Sequence, residues 1–267
     1  MNTDIKPLLL DMTEEQNIDF PQELLPMIEE HGPLIQEQSR RAIKTIVQYK
    51  ELLMMYSCAL KEARTRFEIL NAEFSIRNSR NPINSINTRL KSSTSIIEKM
   101  TRNEIPLSVE NIESCIDDVA GVRVICSYVD DIFLITQALI NQKDIELVSQ
   151  KDYITNPKSN GYRSMHLIVR VPIHFENTTN LMKVEVQIRT IAMDFWATLE
   201  HELIYKNRML DEDILLSELK ECAEIVEGAD SKMLSIRRRI EDSNPEWSEE
   251  DELIEQMRNI DRPLEWH

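Results

Sequence analysis

Glycine is scarce in this sequence, with 4 residues in 267. That scarcity argues for long helices and few tight turns. No run of about 18 apolar residues occurs, so no membrane-crossing helix is expected. No basic-then-apolar start points to secretion. The 4 cysteines, Cys58, Cys115, Cys126 and Cys222, show no C-x-x-C spacing, and each lies in an apolar pattern. They read as free, buried thiols of a reducing cytoplasm rather than zinc ligands or disulfides.

Positive charge is also in deficit, and the net charge is −16. The average conceals a division. Residues 1–38 carry nine acids and one lysine, and residues 241–267 carry ten acids and two arginines. Residues 39–240 are therefore neutral in sum and can still focus positive charge on a bound anion. A net-acidic chain gives no support to single-stranded RNA as a partner, although it leaves that partner open. At this length the chain can bury a full core. We read an acidic arm at 1–38, a central domain at 39–210, and a helical segment with an acidic tail at 211–267.

The arm mixes acids, Pro7, Pro21, Pro26, Pro33 and scattered leucines, which predicts irregular backbone with one short helix at most. From Arg40 to Glu73, apolar residues at Ile46, Tyr49, Leu53, Tyr56, Leu60, Ala63, Phe67 and Leu70 recur at helical spacing. Strands are expected at 83–91, 121–127, 145–153, 165–173 and 181–189, and helices at 92–102, 129–141, 191–205 and 211–242. The last helix carries Leu215, Leu219, Cys222, Val226, Ala229, Met233, Ile236 and Ile240, a heptad seam. Such a seam packs either on its own domain or between subunits, and both readings stay open. The predicted class is α/β (α+β), a mixed sheet flanked by helices with long helices at both ends.

The chemistry-bearing residues fall in a few short segments. Asn156–His166 is a polar loop with one glycine, Lys158, Tyr162 and Arg163, a composition that can grip phosphate and stack a base. Val184–Thr190 alternates strictly, so Glu185, Gln187 and Arg189 share one side of a strand. Arg89 and Lys91 share a face of another strand. Ser95, Lys99 and Arg102 share a face of the following helix and can converge with them on one triphosphate. The same pattern also suits a solvated basic face. Asp117 and Asp118 precede an apolar strand, where an acid is either a rigid metal ligand or a loop cap. Asp194 opens the 191–205 helix, complementing its dipole or accepting from a ligand. His201 follows on that helix as a structural or site histidine. Phe195 and Trp196 read as core.

These segments resemble, in order, the synthetase domain of the RelA/SpoT family, and more narrowly small alarmone synthetases of the RelQ type. The carriers are Thr88–Lys91 with Ser95–Lys99, Asp117–Arg123, Asn160–Ser164, Glu185–Thr190, and Ala192–Ala197 with Glu200 and His201. The resemblance covers roughly residues 40–240. It implies a nucleotidyltransferase-like fold and Mg²⁺-dependent transfer of pyrophosphate from ATP to the 3′-hydroxyl of GMP, GDP or GTP. It places ATP at Arg89, Lys91, Ser95, Lys99, Arg102 and Arg123. It places the guanine nucleotide at Lys158, Tyr162, Arg163, Gln187, Arg189, Asp194 and His201. Asp118 and Glu185 are the implied metal ligands, with Glu185 as base. Tyr162 would stack on guanine and Asp194 would read its edge. Related proteins are tetramers, so a homo-oligomer is expected. No His-Asp doublet occurs, so nothing resembles the hydrolase domain of longer members.

Two other readings stand beside this one. A catalytically silent nucleotide- or RNA-binding regulator on the same fold would be separated by an ATP-to-AMP assay. A helical interaction protein would account for the two apolar seams but not for the strand motifs.

Overall fold

The computed structural model describes residues 25–77, 80–206 and 212–243. The expected acidic arm before residue 25 and the acidic tail after residue 243 lie outside them. The chain divides into two units, 1–52 and 53–267. Helix α1, Leu25–Arg77, runs through the division.

In the first unit, Arg41 Nε pairs with Glu37 one turn away at 3.0 Å. Ile43, Ile46 and Val47 are exposed there, so the expected apolar seam does not hold at Ile46. Residues 25–38 are helical rather than irregular. Pro26 is tolerated because it sits in the first turn, whose N–H groups have no intrahelical partner.

The second unit is built on five strands: β1 Ile83–Leu90, β2 Ala120–Cys126, β3 Glu146–Asp152, β4 Met165–His174 and β5 Thr179–Thr190. Their order is β1-β2-β5-β4-β3, with only β2 and β5 parallel. The sheet is mixed, as the sequence implied. Alternation sets its two faces. Val184, Val186 and Ile188 of β5 are fully buried, as are Val124 of β2 and Leu167 of β4. Each such side chain contributes about 1.5–3 kcal/mol by leaving water. Tyr56, Ala59, Ala63 and Phe67 of α1 join this core.

Helices α2 (Ser93–Arg102), α3 (Val109–Cys115), α4 (Val129–Ile140), α5 (Ile191–Lys206) and α6 (Glu212–Asp242) complete the unit. Sequence reading missed α3, which is short and only half-buried. Ser108 caps it, its hydroxyl accepting from Asn111 N. Helix α6 packs on α5 and α4. Near its far end Arg237 pairs with Asp130 of α4 at 2.5 Å and lies 4.7 Å from the centre of the Tyr128 ring.

The seam on α6 is shifted from the expected one. Leu219 and Ala223 are buried, with Leu215 and Val226 packed beside them. Cys222, Ala229, Met233, Ile236 and Ile240 are exposed. The inward stripe takes Ala223 and Asp230 in place of Cys222 and Ala229, because this half of the helix lies on α5 and a loop rather than on a second long helix. Trp196 of α5 is core, its Nε1 donating to Leu219 O at 2.9 Å. Phe195 is 60% exposed, contrary to expectation, because the next residue along a helix turns about 100° away. All four thiols are free, but only Cys126 is buried, and Cys115 and Cys222 face water.

Candidate active site

Strand register gathers the polar residues. On the face opposite the Val184–Val186–Ile188 row, one line of neighbours runs Asn87–Arg123–Gln187–His166–Lys151 across all five strands. The next line runs Arg89–Gly121–Glu185–Ile168. Directly opposed residues share a face, with Cβ atoms about 4.5–5.5 Å apart in antiparallel pairs. Glu185 thus stands mid-sheet, and the missing side chain of Gly121 leaves the space beside it open.

At the β1–α2 edge, Asp118 accepts from Lys91 Nζ at 2.9 Å and from Lys99 Nζ at 2.8 Å. Burial alone would raise this carboxyl. Hydrogen bonds and charge from the two lysines outweigh it and hold the pKa below the ordinary carboxylate range. Asp117 points elsewhere and pairs with Lys183 at 2.7 Å. Arg89 and Arg102 are exposed. Ser95 is engaged in the start of α2, its N–H donating to the capping Ser92 Oγ at 3.2 Å.

Glu185 is raised above the ordinary range, first by burial and then by the charge of Asp118, against the opposing pull of Arg89, Gln187 and Lys99. A ring of side chains fixes it. Gln187 Nε2 donates to Glu185 Oε2 at 3.1 Å. Arg189 Nη2 donates to Gln187 Oε1 at 2.8 Å and to the Tyr162 hydroxyl at 2.6 Å. Tyr162 Oη lies 2.7 Å from His166 Nε2, and His166 Nδ1 lies 4.0 Å from Glu185 Oε1. A guanidinium only donates, so Tyr162 keeps its own proton for His166 Nε2. This assigns the imidazole proton to Nδ1, facing Glu185. Burial, and then the charges of Arg189, Lys158 and Lys151, lower His166 to about 4, so it is neutral near pH 7.

Sequence reasoning did not single out His166. The available signal was parity: Met165, Leu167 and Val169 form the buried face of β4, which places His166 on the Glu185 face.

The loop before β4 brings Tyr162 to this ring. Lys158 Nζ lies 4.7 Å from the Tyr162 ring centre and Arg189 lies 5.1 Å from it. A base stacking on the lysine side must displace Lys158. Asp194 accepts from Arg189 Nη1 at 3.2 Å and lies 3.4 Å from Arg123 Nη1. Arg123 thus faces Asp194, and its Nε is buried without a hydrogen-bond partner. Arg163 turns away from the ring, to Ile154 O at 2.8 Å and to Glu227 at 2.6 Å. His201 is exposed about two turns beyond Asp194.

Among the described residues no group of three or more His, Cys, Asp or Glu side chains is gathered to hold a metal alone. Asp118 and Glu185 fit a hard divalent ion that takes its remaining ligands from phosphate. Each presents oxygen donors, and their mutual repulsion is what such an ion relieves.

Residues 88–210 match the model of the region found in RelA / SpoT proteins. The chain is 41% identical over 203 residues to the GTP pyrophosphokinase YwaC of Bacillus subtilis (strain 168), covering 74% of this chain and 95% of that protein. The structure is similar to that of small alarmone synthetase 2 from Bacillus subtilis, with TM-score 0.63 and 43% identity over 70% of this chain and 97% of that one. It is equally similar to small alarmone synthetase 1 from Bacillus subtilis bound to its product pppGpp. There the TM-score is 0.65, with 35% identity over 72% of this chain and 98% of that one. The order of motifs, the mixed sheet and these matches together mean that the chain belongs to the RelA/SpoT family, among its small alarmone synthetases.

Proposed function

We propose that the chain transfers a pyrophosphoryl group from ATP to the 3′-hydroxyl of a guanine nucleotide, releasing AMP and a (p)ppGpp-type product. The 3′-oxygen attacks the β-phosphorus. The bond from that phosphorus to the oxygen bridging to the α-phosphate breaks, and AMP leaves with that oxygen. The hydroxyl proton passes to Glu185. The observation that carries this reading is Glu185 itself. It is buried, raised in pKa, bonded by Gln187 and set between the charge of the lysine-paired Asp118 on one side and the Tyr162–Arg189 network on the other. A base works best when its pKa approaches the working pH, which the burial of Glu185 favours.

Lys91, Lys99, Arg89 and Arg102 are the proposed cations for ATP. The unpartnered Arg123 Nε offers a further donor to a bound anion. In the free protein both lysines are occupied by Asp118, and a bound triphosphate offers them a denser anion. Asp118 and Glu185 would hold Mg²⁺, which when bound neutralises charge across the phosphates. Tyr162 is the proposed platform for guanine, with Lys158 moving from its ring to the nucleotide phosphates. Asp194 is the proposed acceptor from the guanine edge, and Arg189 and Gln187 orient Tyr162 and Glu185. Ser95, Arg163 and His201 receive no support from their placement as direct ligands.

Homo-oligomerisation is proposed on the exposed Ile225, Met233, Ile236 and Ile240 of α6. A cytoplasmic location is proposed, and among the described residues no helix is long and apolar enough to cross a membrane. The division into an acidic arm at 1–38, a synthetase domain at 39–210 and a helical segment with an acidic tail at 211–267 is proposed on charge and on where the motifs fall.

Incubation with β-labelled ATP, Mg²⁺ and each of GMP, GDP and GTP tests the function. Label appearing on the guanine nucleotide with stoichiometric AMP is expected. Label retained on ATP would overturn it in favour of a silent nucleotide-binding regulator, and label found only in ADP or pyrophosphate would overturn it in favour of hydrolysis.

A further inference from the structure

Helix α6 carries no residue of the proposed chemistry, yet it touches the acceptor side of the site at three successive levels. At the first, Gly161 has φ +88 and lies so close that a Cβ there would come within 2.4 Å of Ala223 Cβ and 3.6 Å of Lys220 Cα. Loop and helix meet where one side has no side chain and the other only a methyl. One turn along, Glu227 pairs with Arg163 Nη1 at 2.6 Å, while the other arm of that guanidinium holds Ile154 O at 2.8 Å. Arg163 therefore ties both ends of the loop to the helix. Nearly one turn further, Asp230 accepts from Thr190 Oγ1 at 2.7 Å. Thr190 Oγ1 in turn accepts from Met193 N at 3.1 Å, fixing the corner between Arg189 and Asp194.

Tyr162 packs against the cluster Trp196, Ala197, Leu219 and Ala223. Its hydroxyl is part of the ring around Glu185, so the depth at which it sits is set from behind by α6. Small shifts of that support are felt, because a packed core has few voids to absorb them.

We propose that α6 is the rear support of the acceptor loop, and that Ala223 and Glu227 are positioning residues that set affinity for the guanine nucleotide without contacting it. This rests on the reading of the Lys158–Ser164 loop as the acceptor site. Residues of this kind act through Gly161 and Arg163, so their effect falls on guanine-nucleotide binding and spares ATP.

The test uses the full chain and three variants, Ala223→Leu, Ala223→Ser and Glu227→Gln. Binding of a fluorescent GDP analogue and of ATP is measured directly, alongside KM for each substrate and kcat. Ala223→Leu inserts bulk where the loop backbone lies and should weaken GDP binding about tenfold, the scale of modest overpacking, which is about 1.4 kcal/mol. ATP binding should stay within about twofold. Glu227→Gln should weaken GDP binding by about threefold with the same split, its pair being partly exposed. Ala223→Ser adds a single oxygen and should weaken GDP binding less than Ala223→Leu does.

Equal losses for ATP and GDP, or no loss for GDP in both Ala223→Leu and Glu227→Gln, overturn the proposal. If Ala223→Leu fails to fold by circular dichroism, Glu227→Gln decides alone, since a surface carboxamide does not disturb the core. Wild-type protein that binds ATP and no guanine nucleotide overturns the acceptor-site reading and the proposal with it. Wild-type binding of GDP with unchanged variants overturns the proposal only.

Discussion

The two sides of the site are built in different ways. On the β1–α2 side, cations gather on one carboxylate, and their neighbours Arg89 and Arg102 are exposed. On the loop–β4–β5 side, Tyr162, His166, Arg189, Gln187 and Glu185 hold one another in a ring, with Arg189 itself 5% exposed. A loose group of cations suits a flexible triphosphate, for which charge matters more than outline. A connected run of donors and acceptors suits a substrate that must be identified and held at one angle. On the proposed assignment, the acceptor side would carry selection and the ATP side capture, with Glu185 as the residue both share.

The sharpest way to break the comparison is at the shared residue. Glu185→Gln keeps the size and one hydrogen-bond acceptor but removes the base. Turnover should fall by roughly 10²–10⁴, the usual worth of a positioned base. GDP should still bind within about threefold of wild type, since a transition-state role leaves ground-state binding alone, while Mg-dependent ATP binding weakens if Glu185 also holds the ion. Steady-state kinetics with separate binding isotherms measure this. Turnover within about threefold of wild type would remove Glu185 from the role and leave two independent sides.

Next come the paired variants that separate the sides. Lys99→Met should weaken ATP binding by about 1.5–3 kcal/mol, the scale of a hydrogen bond to a charged group. GDP binding should hardly change. Tyr162→Ala should do the reverse, weakening GDP by about 1–3 kcal/mol, the worth of one stacked base. Calorimetric titration of each variant with each nucleotide gives a two-by-two comparison. Equal losses in both columns would show that the sides are a single coupled site. Exchanged losses would show that they are assigned the wrong way round.

Much of this arrangement was legible in the sequence, for identifiable reasons. The Val184–Arg189 alternation fixed both the strand and the face of Glu185, because a period of two has no helical alternative over that length. Both Asp117 and Asp118 precede the apolar β2, and only the family resemblance picked out Asp118. What escaped was tertiary. Arg163 sits between Tyr162 and Ser164 in an ordered motif, yet its partner Glu227 lies on a helix far along the chain. The α6 seam misled because 222 and 223 both continue a helical stripe from 219. Only the approach of Gly161 selects Ala223. The helical start of α1 at Leu25 was hidden by prolines: Pro26 fits the first turn, whereas Pro33 lies inside the helix at a point where sequence rules would end it.

The smallest expected effect tests whether the rear of the acceptor side is tuned for stability or for position. Asp230 is 8% exposed and its carboxyl is raised above the ordinary value, chiefly by burial, with the Thr190 hydrogen bond and the charge of Arg163 opposing. A raised acid binds more protons folded than unfolded, so its contribution to stability falls as pH rises from the ordinary carboxyl range, near 4, through the folded value. Above that value the loss is complete. Asp230→Asn accepts the same Thr190 hydrogen bond and never ionises, so it escapes the loss. The variant should be more stable than wild type at about pH 8, by roughly 2–4 °C if the difference is about 1 kcal/mol. The gap should narrow near pH 4. Urea denaturation midpoints at the two pH values measure it. A gap that stays constant would mean that Arg163 compensates the buried charge fully, making Asp230 part of the same electrostatic tie as Glu227. A gap that closes at low pH would leave Asp230 as a stability cost retained for the Thr190 corner, with Ala223 and Glu227 carrying the acceptor loop.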